Sequence, residues 1–174
     1  PIHYLLLNDD DVFVMTSANL SDEPIVYQDE EAKSHLSTIA DYILSHNRII
    51  QTRVDDSVVR VFNDKQMLIR RSRGYAPSPV LLKGDLISDI PVLACGPELK
   101  NTFCMTKGQK AFLSQHIGDL ENMAVNNAYK NSIDLFKRLF TIKPKLIACD
   151  MHPEYFSTKF AKRYAQDNDL PLIQ

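Results

Sequence analysis

The chain's second half alternates strand-like and helix-like patterns, and that alternation limits the fold more than any other feature. Pro91-Val92-Leu93-Ala94-Cys95-Gly96 is a short apolar run closed by a glycine, the pattern of a buried strand. Asn101 to Met105 reads as a second strand and Ala111 to Ser114 as a third. A helix is predicted from Leu120 to Phe140, burying Leu120, Ala124, Ala128, Ile133, Phe136 and Phe140. Lys145-Leu146-Ile147-Ala148-Cys149-Asp150 is a strand ending in an acid, and Ser157 to Asp167 is a further helix. Strands that alternate with helices need crossovers, so the expected class is α/β with mixed sheets.

The first half is patterned differently. Val12-Phe13-Val14-Met15 reads as a short buried strand that runs into Thr16, Ser17 and Asn19. Hydroxyls and an amide at the carboxyl end of a strand suit a phosphate or ribose. The plainer alternative is that Ser17 and Asn19 close a turn, as these residues commonly do. An amphipathic helix is predicted from Asp29 to His46, with Ala32, Leu36, Ile39, Ala40, Ile43 and Leu44 on one face. Ile49 to Thr52, Val58 to Phe62 and Met67 to Ile69 read as strands, the last two joined by a hairpin turn at Asn63-Asp64-Lys65-Gln66. Pro77-Ser78-Pro79 and Lys83-Gly84-Asp85 look like a linker. The expected division is therefore residues 1–80, a linker over 81–90, and a second domain over 91–174.

Composition narrows the partners. The 174 residues are 44% hydrophobic and 24% charged with a net charge of −2, the balance of a soluble globular protein. That charge gives no general pull toward nucleic acid or anionic membrane, and basic residues are not interleaved with aromatic ones as RNA readers require. No apolar run is long enough to span a bilayer. Cys95, Cys104 and Cys149 are odd in number, widely spaced and set in apolar stretches, which points to reduced, buried thiols and a cytoplasmic setting. Pro1 stands where a start Met would, and the chain stops inside the apolar Leu170-Pro171-Leu172-Ile173-Gln174, so the expectation is a piece of a longer protein.

Several clusters have the chemistry of anion sites. Arg53, Arg60, Arg70, Arg71 and Arg73 crowd around Asp55-Asp56-Ser57, and guanidinium groups grip phosphates with paired hydrogen bonds. Solvated edge-strand charges are the competing explanation. Gly96-Pro97-Glu98-Leu99-Lys100-Asn101-Thr102 is a polar turn between two strands, able to present backbone amides and Thr102 to a phosphate or to be an ordinary hairpin. In Ser114-Gln115-His116-Ile117-Gly118-Asp119, His116 is an acid–base group or a structural histidine, and Asp119 is a site residue or the cap of the next helix. Asp150 and His152 close a strand but find no third ligand nearby, so no metal site is expected within the chain.

Read in order, these motifs resemble the hydrogenase-maturation carbamoyltransferase family HypF. The resemblance rests on Met15-Thr16-Ser17-Ala18-Asn19-Leu20-Ser21-Asp22-Glu23-Pro24-Ile25, His46-Asn47-Arg48, Arg53-Val54-Asp55-Asp56-Ser57-Val58 and Arg70-Arg71-Ser72-Arg73-Gly74-Tyr75-Ala76-Pro77. It continues through Cys95 to Thr102, Ser114 to Leu120 and Cys149 to Pro153. It implies the C-terminal half of a YrdC-like twisted open α/β sheet followed by the N-terminal part of a TsaD-like domain with an actin-like (ASKHA) nucleotide fold. The implied activity joins ATP, with Mg²⁺, to carbamate from carbamoyl phosphate, giving carbamoyl adenylate and pyrophosphate. The carbamoyl group then passes to the C-terminal cysteine of HypE, toward the cyanide ligand of nickel-iron hydrogenase.

By the same resemblance Ser17, Asn19 and Ser57 bind nucleotide and Arg71 or Arg73 serves the phosphates, and Arg60 of the arginine cluster is a further candidate for the nucleotide. Lys100, Asn101 and Thr102 bind nucleotide in the second domain, while His116 and Asp119 serve transfer. Zinc or another metal would be held only by residues beyond this chain. Parts of two active sites are then present with neither complete, so the chain alone is expected to be inactive, and its open sheet edges to favour a dimer. A YrdC-type threonylcarbamoyl-adenylate synthase of tRNA modification and a non-catalytic nucleotide- or RNA-binding module are the alternatives.

Overall fold

The computed structural model describes residues 2–20 and 23–174, so Ser21 and Asp22 of the first polar loop lie outside the described residues. The chain forms two compact units, one reaching Ile50 and the other spanning Gln51–Gln174. The first unit holds two short helices, α1 (Ile2–Leu6) and α2 (Asp29–Leu36). Asp29, Glu30 and Glu31 occupy the first turn of α2, where carboxylates favour the positive end of the helix dipole.

Two expectations fail here. The strand expected at Val12–Met15 is an exposed extended segment, with Val12 95% and Val14 98% exposed. A strand needs a neighbour for its amides, and among the described residues none pairs with it. The helix expected to reach His46 ends at Leu36. Ile39, Ile43 and Leu44, its continuing apolar stripe, are exposed. A short helix gains most of its stability from packing that stripe, so the periodicity alone does not hold it.

In the second unit, β1 (Val58–Phe62) and β2 (Lys65–Arg70) form an antiparallel two-stranded ribbon. Asn63 and Asp64 are its two turn residues, with φ of 49° and 56°, the left-handed pair that matches strand twist. No strand forms at Ile49–Thr52. The stretch read as a linker carries β3 (Val80–Leu81) and a single 3₁₀ turn over Gly84–Leu86. β3 pairs with the strand at Lys110–Leu113 and closes one edge of a six-stranded sheet.

That sheet holds β4 (Val92–Ala94), β5 (Cys104–Lys107), β6 (Lys110–Leu113), β7 (Leu146–Ala148) and β8 (Leu172–Ile173), in the order β3-β6-β5-β4-β7-β8. β4 pairs antiparallel with β5 but parallel with β7, and β7 pairs parallel with β8. The parallel pairings require the crossovers α3 (Met123–Leu139) and α4 (Phe156–Asp167). β4 is therefore the strand with one antiparallel and one parallel neighbour, and its carboxyl end leads into the turn over Gly96–Thr102.

The core lies between this sheet and the two helices. α3 buries Val125, Tyr129, Ser132, Ile133 and Phe136. Of the expected face, Leu120, Ile133 and Phe136 are buried, but in the first turns Val125 and Tyr129 take the core side while Ala124 is exposed and Ala128 half-buried. Phe103 meets Tyr129 and Phe136 edge-on, with ring centroids 5.9 and 5.0 Å apart. Each fully buried aromatic or branched side chain of this kind stabilises the fold by about 1.5–3 kcal/mol. The cap of α3 is Asn122, whose Oδ1 accepts from the Val125 amide at 2.9 Å, and not Asp119. Cys95 is buried while Cys104 and Cys149 are half-buried, and all three are free thiols. Among the described residues no helix is long and apolar enough to cross a membrane.

Candidate functional site

In the first unit, Asn19 is half-buried and Ser17 exposed. The Asn19 Nδ2 donates to the carbonyls of Leu20 and Glu23 at 2.9 and 3.0 Å, so the amide closes its own loop.

In the second unit, Ser57 is a small hub. Its Oγ accepts from the Ser72 amide at 2.8 Å and donates to the Arg73 carbonyl at 2.8 Å. The Arg73 amide in turn donates to the Asp55 carbonyl at 3.1 Å. These bonds pin the segment after β2 onto the segment before β1. Arg60 is exposed on β1.

Arg71 and Arg73, alike in sequence, sit differently. The half-buried Arg71 guanidinium donates to three backbone carbonyls: Leu113 at 3.2 Å, Tyr75 at 2.9 Å and Ser78 at 2.5 Å. It stitches the loop after β2 to the end of β6. Burial pulls it below its ordinary pKa, yet a guanidinium stays charged at neutral pH. The Arg73 side chain is 78% exposed and lies 3.9 Å from Asp56. Of the two, Arg73 is the more open to solvent.

The turn between β4 and β5 is built around two constraints. Gly96 has φ +70°, and a Cβ there would lie 2.2 Å from the Thr102 carbonyl oxygen and 3.0 Å from Asn101 Nδ2. Only glycine lets the two sides of the turn approach this closely. Asn101, fully buried, donates Nδ2 to the carbonyls of Cys95 at 3.1 Å and Pro97 at 2.6 Å. Its Oδ1 is buried without a partner in the structure. Lys100 has a left-handed φ of 50°, and its amide donates to Asp119 Oδ1 at 2.6 Å. Glu98 reaches the first turn of α4, accepting from the Ser157 amide at 3.4 Å. Thr102 is half-buried beside the turn.

His116 joins the two halves of the chain's motifs. Its Nδ1 lies 2.7 Å from Asp55 Oδ2, and its amide donates to the Arg71 carbonyl at 3.1 Å. Arg53 adds a bond from its guanidinium to the Ile117 carbonyl at 3.2 Å. Burial pushes the Asp55 carboxyl up, but the hydrogen bond and charge of His116, with Arg53 and Arg70, outweigh it and hold the group below the usual carboxylate value. The role of Asp55 was not legible locally, because its partner is 61 residues away. Among the described residues no three His, Cys, Asp or Glu side chains converge on a metal-sized space.

Comparison with known proteins gives this arrangement its class. Residues 88–174 match the family described as the HypF Kae1-like domain, and residues 1–72 match the Sua5/YciO/YrdC family, described as telomere recombination. A YrdC-type segment thus runs directly into a Kae1-like sheet, the fold class expected from the motifs. The chain belongs to the HypF family. It is 40% identical to carbamoyltransferase HypF of Rhizobium leguminosarum bv. viciae, over 99% of this chain and 23% of that protein. It is 43% identical to carbamoyltransferase HypF2 of Cupriavidus necator, over 93% of this chain and 20% of that protein. A crystal structure of full-length HypF in a phosphate- and nucleotide-bound form superposes with a TM-score of 0.89 at 48% identity, covering 99% of this chain and 26% of the other. The chain therefore spans about a quarter or less of the proteins it matches.

Proposed function

We propose that the protein carrying this chain is an ATP-dependent carbamoyltransferase working through carbamoyl adenylate. The observation that carries this reading is the 48% identity, over 99% of the chain, to a HypF described as phosphate- and nucleotide-bound. ATP supplies the activating adenylyl group, with Mg²⁺ on its phosphates. Ser17 and Asn19 contact nucleotide, and Arg73, whose guanidinium is open to solvent, takes the phosphates ahead of Arg71. Ser57 orients Arg73 through its bonds to the Ser72 amide and the Arg73 carbonyl. Residues 1–80 serve activation and residues 91–174 serve transfer, with 81–90 joining them.

In the second part, Lys100, Asn101 and Thr102 receive nucleotide, while His116 and Asp119 act by holding that loop. The acceptor is a cysteine thiolate, the C-terminal one of HypE, and the carbamoyl group goes on toward a hydrogenase cyanide ligand. The setting is the cytoplasm. The Kae1-like match over residues 88–174 favours this reading over a stand-alone threonylcarbamoyl-adenylate synthase.

The test is carbamate-dependent exchange of radiolabelled pyrophosphate into ATP by the full-length protein, with calorimetric nucleotide titration of both that protein and this chain. Exchange that ignores carbamoyl phosphate would overturn the proposal.

A further inference from the structure

The Ser57–Arg73 cluster and the Gly96–Thr102 turn are joined by an unbroken set of hydrogen bonds. On one side, Arg73 donates to the Asp55 carbonyl, and Ser57 accepts from Ser72. The Asp55 carboxylate then meets His116 Nδ1 at 2.7 Å, and the His116 amide returns to the Arg71 carbonyl. On the other side, the Ile117 amide donates to the Asn101 carbonyl and the Asn101 amide to the Gly118 carbonyl, both at 2.9 Å. Asp119 then holds the Lys100 amide. Along this path the side-chain link between the two matched family regions is the Asp55–His116 contact, with Arg53 on the Ile117 carbonyl and Arg71 on the Leu113 carbonyl bridging the same regions beside it. Both side chains are mostly buried, at 16% exposed for His116 and 24% for Asp55, where screening is weak and geometry is held. A carboxylate on Nδ1 also fixes the imidazole's orientation and tautomer.

We propose that Asp55 and His116 form a positioning pair that couples the Ser57–Arg73 cluster to the Gly96–Thr102 turn. The pair sets where the segment before β1 sits on the loop after β6, and so the geometry of the turn that Asp119 and Gly118 hold. Neither residue takes part in bond making. The other charged groups acting on the pair are Arg53 and Arg70, both of which favour the ionised carboxylate.

The activity test rests on the proposed carbamoyl transfer; a second test does not. In the full-length protein, His116→Ala and Asp55→Ala should lower carbamate-dependent pyrophosphate exchange less than they lower carbamoyl transfer. Carbamoyl transfer to the acceptor thiol should fall about tenfold in kcat, the scale of one coupling contact. The double variant should be no worse than either single one, since both remove the same link. His116→Gln, which keeps a donor for Asp55, should recover most of the transfer. Equal loss of exchange and transfer, unchanged transfer, or additive losses would each overturn the coupling. If the wild-type protein shows neither reaction, it is the proposed function that fails.

The second test uses this chain alone and hydrogen–deuterium exchange. The Asp55→Ala variant should expose the Lys100 and Asn101 amides about tenfold faster, while the β4 and β5 ladder amides stay protected. Should the ladder also open, His116→Ala replaces it as the deciding variant. Unchanged protection at Lys100 and Asn101 in a folded variant would overturn the pair's reach to that turn.

Discussion

The Asp119 carboxylate accepts the Lys100 backbone amide at 2.6 Å, across a turn in which Lys100 holds a left-handed φ of 50°. A non-glycine residue pays about 1–2 kcal/mol for that conformation, so the bond to Asp119 helps hold it. Asp119→Ala should lower stability by about 1–2 kcal/mol, the worth of one charge-assisted hydrogen bond, in urea titration of this chain. Lys100→Gly should leave stability unchanged or slightly raised, because it relieves the backbone. In the full-length protein the same variant should weaken nucleotide binding if the ammonium reaches a phosphate. Normal nucleotide affinity for Lys100→Gly would remove Lys100 from the site.

Gly96 makes a sharper case. A Cβ at 2.2 Å from a backbone carbonyl oxygen cannot be absorbed by a rotamer change, and φ is already +70°. Gly96→Ala should cost about 2–4 kcal/mol, combining left-handed strain with an overpacked contact. A midpoint in urea equal to wild type would mean that the turn between β4 and β5 has room to open.

What the sequence reveals depends on how far away the stabilising partner lies. The turn Asn63-Asp64 and the helix Phe156–Asp167 are legible because their causes are local: two residues that tolerate positive φ, and apolar spacing along one helix face. α3 is legible as a helix and in its later facing at Ile133 and Phe136, but not in its first turns, where Ala124 and Ala128 satisfy the same period as the buried Val125 and Tyr129. Volume decides between those stripes, and periodicity does not carry volume. Val12–Met15 misleads for the opposite reason. Its residues suit a strand, but a ladder needs a neighbour that composition cannot supply. In the candidate site, Gly96, Lys100 and Asn101 stand out as a polar turn, whereas the Asp55–His116 contact joins motifs that no local window shows together.

Arg71 and Arg73 should separate stability from catalysis. Arg71 satisfies three carbonyls at the edge of the sheet. Arg71→Ala should therefore destabilise this chain by about 2–4 kcal/mol, as removal of a charged multi-bond donor does. Lysine there should recover little, because it lacks the fork. Arg73→Ala should leave the melting temperature within a degree or two but lower carbamate-dependent exchange in the full-length protein by about a hundredfold, the scale of one preorganised charge-stabilising donor. The reverse pattern would assign the phosphate contact to Arg71.

Cys95 supplies a chemical check on the core. Burial pushes its thiol up to about 12; a hydrogen bond involving Tyr129 opposes this and Cys149 adds to it. The thiolate is the reactive form, so Cys95 should be the last of the three cysteines to be alkylated at pH 8. It should react only at the rate of global unfolding. Rapid labelling of Cys95 in the native chain, read by mass spectrometry, would contradict its placement beneath Tyr129.

The Asp55–His116 contact carries a pH dependence of defined sign. The Asp55 carboxyl lies below its ordinary value in the folded chain despite burial, because the His116 hydrogen bond and the nearby positive charges favour the anion. In the unfolded chain it returns to about 3.9. The folded state then binds fewer protons than the unfolded state across the interval between the two values, and stability rises with pH there. The contribution is fully present above the unfolded value and is lost as pH falls through the depressed folded one. Asp55→Asn removes the titration while keeping size and shape. Melting temperatures of wild type and Asp55→Asn should differ by a constant amount near pH 6 and converge as the pH is lowered toward 3. His116→Gln should shrink that gap at pH 6, since it removes the imidazole that favours the Asp55 anion. A gap that is the same at pH 3 and pH 6 would mean that Asp55 is protonated, or unpaired, throughout.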